Sequence, residues 1–123
     1  MKILMTILAA LGLTAGATGY ENVSVEEFSK IIAQKDVQIL DVRTPEEYAE
    51  GHIEGALLAN YNGQTFKEDA LKVLKKGKKV AIYCRSGRRS AAAAEILSKE
   101  GFELCNLETG IIGWTKEGKT LVK

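Results

Sequence analysis

Apolar and polar residues follow each other along this chain in a pattern of short hydrophobic runs separated by stretches of helical spacing. Short runs of apolar and β-branched residues predict buried strands, whereas apolar residues three and four apart predict the inner face of a helix. The predicted strands are 37–42, 56–59, 79–84 and 103–107. The predicted helices run from about residue 24 to 35, 44 to 50, 65 to 75, 87 to 100 and 110 to 116. Because strands alternate with helices, we expect an α/β domain with a mainly parallel sheet.

Two of the predicted helices begin with the residue pattern of a capping box. Ser24 precedes Glu27 and Thr44 precedes Glu47 at the required spacing. In this motif the hydroxyl oxygen accepts from the third helical amide, while the carboxylate accepts from the amide of the capping residue. Pro45 stands at the first helical position, where its missing N–H costs nothing. The sequence therefore predicts helix starts at these two places.

The first 17 residues have the pattern of a secretory signal peptide. Lys2 supplies a positive start, residues 3–13 are an apolar run, and Ala15-Gly16-Ala17 has the small-x-small form of a cleavage site. The alternatives are a membrane anchor and a buried first helix, but the apolar run is shorter than the roughly 18 residues that span a bilayer. We therefore predict cleavage after Ala17, with residue 19 as the latest boundary, and export to the periplasm or the extracellular space.

The length of the chain is that of one compact domain, which covers residues 18–123. Its charges nearly balance, so we expect no strong overall electrostatic field. The chain carries 17 lysines and arginines against 16 aspartates and glutamates, which gives a formal net charge of +1. This balance argues against nucleic acid as a partner and, once the signal peptide is removed, against a membrane surface. We expect the mature domain to be a monomer.

The two cysteines of the chain, Cys84 and Cys105, stand in different sequence settings. In an exported domain they could form a disulfide, because oxidising compartments preserve such bonds. Against this, a domain of about 100 residues buries enough core without a crosslink. Cys105 lies in the apolar run 102–105 without a basic neighbour, so we expect a buried, unreactive thiol there and assign it no role.

Cys84 lies directly after the clearest predicted strand and directly before a helix, which is where α/β sheets collect functional groups. The loop that follows is rich in small and basic residues, and its backbone amides are expected to turn inward as a nest for an anion. The helix start and three arginines add positive charge, which stabilises a thiolate and makes it a nucleophile near neutral pH. The candidate site residues are Cys84 for catalysis and Arg85, Ser86, Gly87, Arg88, Arg89 and Ser90 for substrate binding.

Four stretches that together span nearly the whole mature chain resemble the signatures of single-domain rhodaneses. In family order they are LDVRTPEEY at 40–48, GHIEGA at 51–56, YCRSGRRS at 83–90 and NLETGIIGW at 106–114. One position departs from the family pattern, because Thr109 stands where glycine is common; we expect it to alter the turn before the last helix but not the loop. The resemblance implies a rhodanese-like three-layer α/β fold, with four or five mainly parallel strands and helices on both faces.

The resemblance also implies a double-displacement sulfurtransferase. The Cys84 thiolate would attack the outer sulfur of a small anionic donor such as thiosulfate or a polysulfide, and a persulfide would remain on the protein. A thiol or cyanide would then accept the sulfur, and a protein acceptor is a further alternative. The loop amides from Arg85 to Ser90 would hold the anionic outer sulfur as an oxyanion hole holds developing charge. No metal or organic cofactor is needed.

Asp41 and Arg43 lie at the end of a predicted strand, and two roles are open for them. In the resembling family the matching pair supports the loop from a neighbouring strand end. The alternative, which we favour, is a structural ion pair, with Arg43 bound to a glutamate of the next helix, because buried charges need partners. His52, the one histidine of the chain, is an alternative general base, although the loop activates the thiolate without one. We expect Trp114 in the core.

Two other functions compete with sulfur transfer. Cysteine-dependent phosphatases and arsenate reductases resemble rhodaneses but place an arginine after five intervening residues, where this chain has Ser90; its last loop arginine, Arg89, comes one residue earlier. We expect the shorter loop to suit one sulfur atom better than a phosphate. The domain could instead be a non-catalytic carrier or sensor of sulfane sulfur, and the sequence does not separate that role from turnover.

Overall fold

The computed structural model describes residues 19–123, so the predicted signal peptide and its cleavage point lie outside the described residues. The strands are β1 (Tyr20–Val23), β2 (Val37–Asp41), β3 (Leu57–Leu58), β4 (Lys79–Tyr83) and β5 (Leu104–Leu107). The helices are α1 (Val25–Ile32), α2 (Pro45–Glu50), α3 (Phe66–Val73), α4 (Arg88–Ser98) and α5 (Gly110–Lys116). None of these helices within residues 19–123 is long and apolar enough to cross a membrane.

The five strands in the described range form one sheet in the order β1-β5-β4-β2-β3, and each neighbouring pair is parallel. The predicted parallel α/β architecture is therefore confirmed. Asp41 at the end of β2 lies beside Tyr83 at the end of β4. Because parallel strands end at the same edge of a sheet, this edge collects the segments that follow β2, β4 and β5.

Helices cover both faces of the sheet and enclose two apolar clusters. On one face α3 and α4 pack on the sheet, and the fully buried Ala93 and Ala94 allow α4 to approach it closely. On the other face α1 and α5 contribute Phe28 and Trp114, whose rings meet edge to face with centroids 6.1 Å apart. Trp114 is therefore a core residue, as the sequence predicted.

The predicted elements are present, with differences at their ends and one strand that the sequence analysis missed. Both capping boxes form, at Ser24 and at Thr44. The unpredicted strand is β1, which adds to the sheet edge beside β5. Of its four residues Val23 is the one that is buried, so β1 lacks the apolar pattern by which strands are found in a sequence.

Candidate active site

Cys84 lies at the carboxyl end of β4, at the start of the loop that leads into α4. We call residues 84–90 the cysteine loop. The Cys84 residue is 1 % exposed. Its Sγ accepts three hydrogen bonds, from the Gly87 amide at 3.2 Å, the Ser90 amide at 3.4 Å and the Ser90 hydroxyl at 3.3 Å. The loop amides therefore turn toward the sulfur atom, which is the arrangement that the sequence predicted.

These hydrogen bonds decide the acidity of the Cys84 thiol. Burial raises the pKa of Cys84, because a thiolate loses hydration energy in the interior. The three hydrogen bonds from the Ser90 hydroxyl, the Ser90 amide and the Gly87 amide act in the opposite direction, and the nearby Ser86 amide adds to their effect. Together they outweigh burial, so the pKa of Cys84 lies below its ordinary value. In contrast, burial raises the pKa of Cys105 to about 11. Cys84 is thus the thiol suited to nucleophilic chemistry.

The two cysteines are both free, and they belong to opposite faces of the sheet. The strand neighbour of Cys105 is Ala81 on β4. Cys84 follows Ala81 by three residues, just past the end of β4, and packs on the opposite face of the sheet. A disulfide between them, the alternative left by the sequence, is excluded by this arrangement.

The first turn of α5 packs against the backbone of the cysteine loop. The Ile111 amide donates to the Cys84 carbonyl at 2.9 Å, and the Ile112 amide donates to the Arg85 carbonyl at 3.1 Å. Since the C=O and N–H of a trans peptide point in opposite directions, these contacts direct the Cys84 and Arg85 carbonyls toward α5 and the Arg85 and Ser86 amides of the same peptides away from it. The nest is thus shaped by a second segment of the chain.

Two glycines make this close backbone packing feasible. Gly110 has a φ of +66° and Gly87 a φ of +97°, both in the left-handed region that favours glycine. A Cβ on Gly110 would collide with the Arg85 carbonyl, and a Cβ on Gly87 would collide with the Glu108 carbonyl. Side chains at either position would therefore push the two segments apart.

The three arginines of the cysteine loop have different surroundings. Arg85 and Arg88 are exposed, whereas Arg89 is half-buried. Arg89 donates through Nη1 and Nη2 to the two carboxylate oxygens of Glu47, at 2.9 and 3.0 Å. The Arg89 guanidinium holds the pKa of Glu47 at about 2. The charge of Arg89 is therefore balanced within the protein, and among the loop arginines Arg85 and Arg88 present theirs to solvent.

Asp41 and Arg43 form a buried ion pair with each other, and the predicted partner of Arg43, a glutamate of the next helix, is wrong. Arg43 Nη2 lies 2.7 Å from Asp41 Oδ2 and also donates to the Gly51 carbonyl at 2.7 Å. The nearby glutamate, Glu47, is occupied by Arg89. The pair ties the end of β2 to the segment after α2, and these are the contacts of a structural ion pair.

Comparison with known proteins assigns this fold and sequence to a family. A family model described as a rhodanese-like domain matches residues 24–117. The chain belongs to the rhodanese-like family. It is 36 % identical over 99 residues to a protein of Allochromatium vinosum named sulfurtransferase, and the match covers 79 % of this chain and 90 % of that protein. Both the family and the fold that the sequence predicted are thereby confirmed.

Two further similarities are informative. The crystal structure of a rhodanese-related protein from Thermoplasma volcanium is similar at 33 % identity with a TM-score of 0.74, covering 84 % of this chain and 98 % of that one. A putative sulfur carrier protein of Bacillus subtilis is 36 % identical over 106 residues, covering 85 % of this chain but 55 % of that protein. One of these relatives is thus named for the transfer of sulfur and another for carrying it.

His52 lies in a different network of this rhodanese-like domain. Its ring stacks on Tyr48 with centroids 3.7 Å apart, and its Nδ1 lies 2.9 Å from the Tyr48 carbonyl oxygen. Its backbone pairs with Val122 through two hydrogen bonds of 2.8 Å. These contacts fasten the carboxyl-terminal segment, and they are not those of a base bound to Cys84.

Thr109, the departure from the family pattern, fits the turn without strain. Its φ of −96° lies in the right-handed region, and α5 begins at Gly110 where the sequence predicted it. A Cβ on Gly113 would collide with the Thr109 side chain. The glycine one turn later therefore makes room for the threonine.

Three residues that contribute to the site were not assigned to it by sequence reasoning: Glu47, Asn106 and Gly110. Glu47 was recognised for its capping box, which does not reveal a partner 42 residues away. Asn106 did give a usable signal, because it is a polar residue inside the buried run 104–107 and such a group needs a hydrogen-bond partner.

Proposed function

We propose that this rhodanese-like domain is a sulfurtransferase that carries sulfur as a persulfide on Cys84. The observation that best supports the proposal is the ring of hydrogen bonds around Cys84 Sγ, from the Gly87 amide and from the amide and hydroxyl of Ser90. These donors stabilise a thiolate without a separate base. The name of the Allochromatium vinosum relative agrees with this class of reaction.

The reaction takes place in two displacements. First, the Cys84 thiolate attacks the outer sulfur of thiosulfate, a new S–S bond forms, and sulfite leaves with the electron pair of the bond that breaks. Second, an acceptor thiolate or cyanide attacks the outer sulfur of the persulfide, and Cys84 leaves as a thiolate. The products are a new persulfide or thiocyanate. The hydrogen bonds that stabilise the attacking thiolate also stabilise it as the leaving group, so both steps use the same residues.

The cysteine loop has two tasks in this reaction. Its amides between Arg85 and Ser90 hold the negative charge of the outer sulfur, as they hold Sγ in the free protein. Arg85 and Arg88, which are exposed, attract the anionic donor. Because the Cys84 residue is 1 % exposed, we infer that the site takes donors whose reacting end is a single sulfur atom, such as thiosulfate or a polysulfide.

Turnover assays test this assignment against the two rival functions. We expect the protein to form thiocyanate from thiosulfate and cyanide, and Cys84→Ser to be inactive. Hydrolysis of an aryl phosphate that depends on Cys84 would instead support a phosphatase. We expect none, because Ser90 stands where a phosphatase places the arginine that closes around the phosphate.

A carrier is the second candidate, and the name of the Bacillus subtilis relative favours it. Steady-state kinetics with thiosulfate, polysulfide and a small-molecule persulfide separate the two functions. A carrier would take up one sulfur per Cys84 and show negligible turnover with every donor. A sulfurtransferase would turn over repeatedly with at least one of them.

We also propose that the domain acts outside the cytoplasm, on the basis of the pattern in residues 1–17. Cell fractionation followed by amino-terminal sequencing tests this. The expected product begins at Thr18 in the periplasmic or secreted fraction. A cytoplasmic protein that retains residues 1–17 would overturn the proposal.

A further inference from the structure

Asn106 is a buried amide side chain inside an apolar strand, and the proposed reaction does not use it directly. It lies on β5, between Ile82 of β4 and Asn22 of β1, and is 1 % exposed. Burying an amide costs free energy that an apolar residue would not cost. The hydrogen bonds of Asn106 must therefore offset this cost.

The hydrogen bonds of Asn106 run to the cysteine loop and to the neighbouring strand. Its Nδ2 donates to the Gly87 carbonyl at 3.3 Å and to Asn22 Oδ1 at 3.0 Å. The Gly87 carbonyl can only accept, so it defines which end of the Asn106 amide is the nitrogen. Its Oδ1 is buried without a hydrogen-bond partner among the residues that the structure describes. The Asn106 side chain thus provides a hydrogen bond to the Gly87 carbonyl, while its own oxygen has none. A buried polar atom without a hydrogen bond lowers stability, so stability does not explain an asparagine at this position.

Gly87 is the point at which the cysteine loop needs external support. It precedes α4 with a φ of +97° and a ψ of −7°, and glycine has more backbone freedom than any other residue. Its amide donates to Cys84 Sγ at 3.2 Å. Its carbonyl accepts from the Ala91 amide at 3.2 Å and from Asn106. The amide and the carbonyl of Gly87 belong to different peptide planes, which are joined by the φ and ψ of Gly87. Contacts that fix the carbonyl restrict these two torsions and, through them, the direction of the amide.

We propose that Asn106 is a positioning residue for the sulfur chemistry of Cys84. Its amide holds the Gly87 carbonyl, and so keeps the Gly87 amide directed at Sγ. Asn22, an exposed residue of β1, orients the Asn106 amide for this task. The role deepens the proposed function and rests on it, since it concerns the sulfur atom that would carry the persulfide.

The test measures the ionisation of Cys84 in a background where Cys84 is the one thiol of the chain. In Cys105→Ala protein, the ultraviolet absorbance of the thiolate is followed against pH. We expect Asn106→Leu to move the midpoint to higher pH by roughly one unit, the size expected when a hydrogen bond to a thiolate is weakened. Persulfide formation from thiosulfate at neutral pH should slow in parallel. A merely structural residue would lower stability without moving the midpoint.

Two further variants separate positioning from folding. Val80→Ala truncates a fully buried residue near the opposite end of β4, so it should lower stability and leave the midpoint in place. Asn22→Ala changes an exposed residue, and we expect a folded protein whose midpoint moves in the same direction as in Asn106→Leu, by a smaller amount. This variant keeps the test valid should Asn106→Leu fail to fold.

The outcomes distinguish this inference from the proposed function. An unmoved midpoint in folded Asn106→Leu, or in Asn22→Ala if the first variant does not fold, overturns the positioning role even where persulfide forms normally. A moved midpoint supports the role. Absence of persulfide in every variant, including the Cys105→Ala parent, would instead overturn the sulfurtransferase proposal and leave the positioning of Cys84 in place.

Discussion

Arg89 and Glu47 connect the cysteine loop to α2 through two hydrogen bonds of 2.9 and 3.0 Å. The same carboxylate accepts from the Thr44 amide at 3.1 Å and completes the capping box of α2. One side chain therefore fixes the start of α2 and the first turn of α4. Because Arg89 is neutralised in this way, it differs from Arg85 and Arg88, which face solvent.

The Glu47–Arg89 pair predicts a pH-dependent contribution to stability. The pKa of Glu47 in the folded protein is about 2, below its ordinary value of 4.5, so the stabilisation is fully present above pH 4.5 and is lost as the pH falls toward 2. At neutral pH, Glu47→Gln should lower the free energy of unfolding by about 1 kcal/mol, a value reduced by partial solvent exposure. Urea unfolding of both proteins measures this. A difference that stays constant from neutral pH to acid would contradict the assignment.

Ser90 provides a direct prediction about thiol reactivity. Burial raises the pKa of Cys84, and among the hydrogen bonds that oppose this effect the one from the Ser90 hydroxyl lowers the pKa most. We expect Ser90→Ala to raise the pKa of Cys84 by about one unit, visible as an upward shift in the pH midpoint of alkylation by iodoacetamide. Ser86→Ala is the matched control, since its exposed side chain is lost while its amide is retained. Equal midpoints for the two variants would count against the hydroxyl.

A substitution at Gly110 measures the energetic cost of separating the cysteine loop from the start of α5. Gly110→Ala places a Cβ against the Arg85 carbonyl, and we expect a loss of at least about 2 kcal/mol in the free energy of unfolding. Gly118→Ala is the matched control, because Gly118 also has a positive φ, of +81°, but a Cβ at this position would meet no atom within 4 Å. Its cost should be about 1 kcal/mol, from backbone conformation alone. Equal losses in denaturant unfolding would show that the backbone contact has no energetic weight.

The loop arginines predict how the donor is attracted. Arg85→Gln and Arg88→Gln should each raise the KM for thiosulfate a few-fold with little change in kcat, and added salt should reduce the difference, because exposed charges are screened. For Arg89→Gln the main expected effect is a lower free energy of unfolding, since this substitution leaves Glu47 without its partner. Kinetics at low and high salt, with unfolding curves for all three variants, measure these effects. A KM that does not respond to any of these changes would argue against electrostatic attraction of the donor.

Sequence periodicity was sufficient for most of the fold because most strands are apolar and the helices carry local signals. The capping boxes at Ser24 and Thr44 involve residues three apart, so the sequence contains the whole motif. β1 has no comparable signal, since one of its four residues is buried. It becomes a strand because β5 offers it a free edge, and that is a property of the assembled sheet.

The contacts of the candidate site are of two kinds, local ones that the sequence predicts and long-range ones that it does not. Cys84, Gly87 and Ser90 lie within seven consecutive residues, so their meeting around one sulfur follows from a tight loop between strand and helix. The pair Glu47–Arg89, the contact of Gly110 with Arg85 and the bond from Asn106 to Gly87 join distant segments. Such contacts depend on strand order, which the local periodicity of a sequence does not reveal.

Intact mass spectrometry of the mature protein before and after thiosulfate tests the central claim most directly. We predict that the unmodified protein and Cys105→Ala each gain one sulfur atom, and that Cys84→Ala gains none. Treatment with cyanide should then remove the added sulfur. Sulfur bound to Cys84→Ala, or a folded unmodified protein that gains no sulfur from thiosulfate or from polysulfide, would contradict the account.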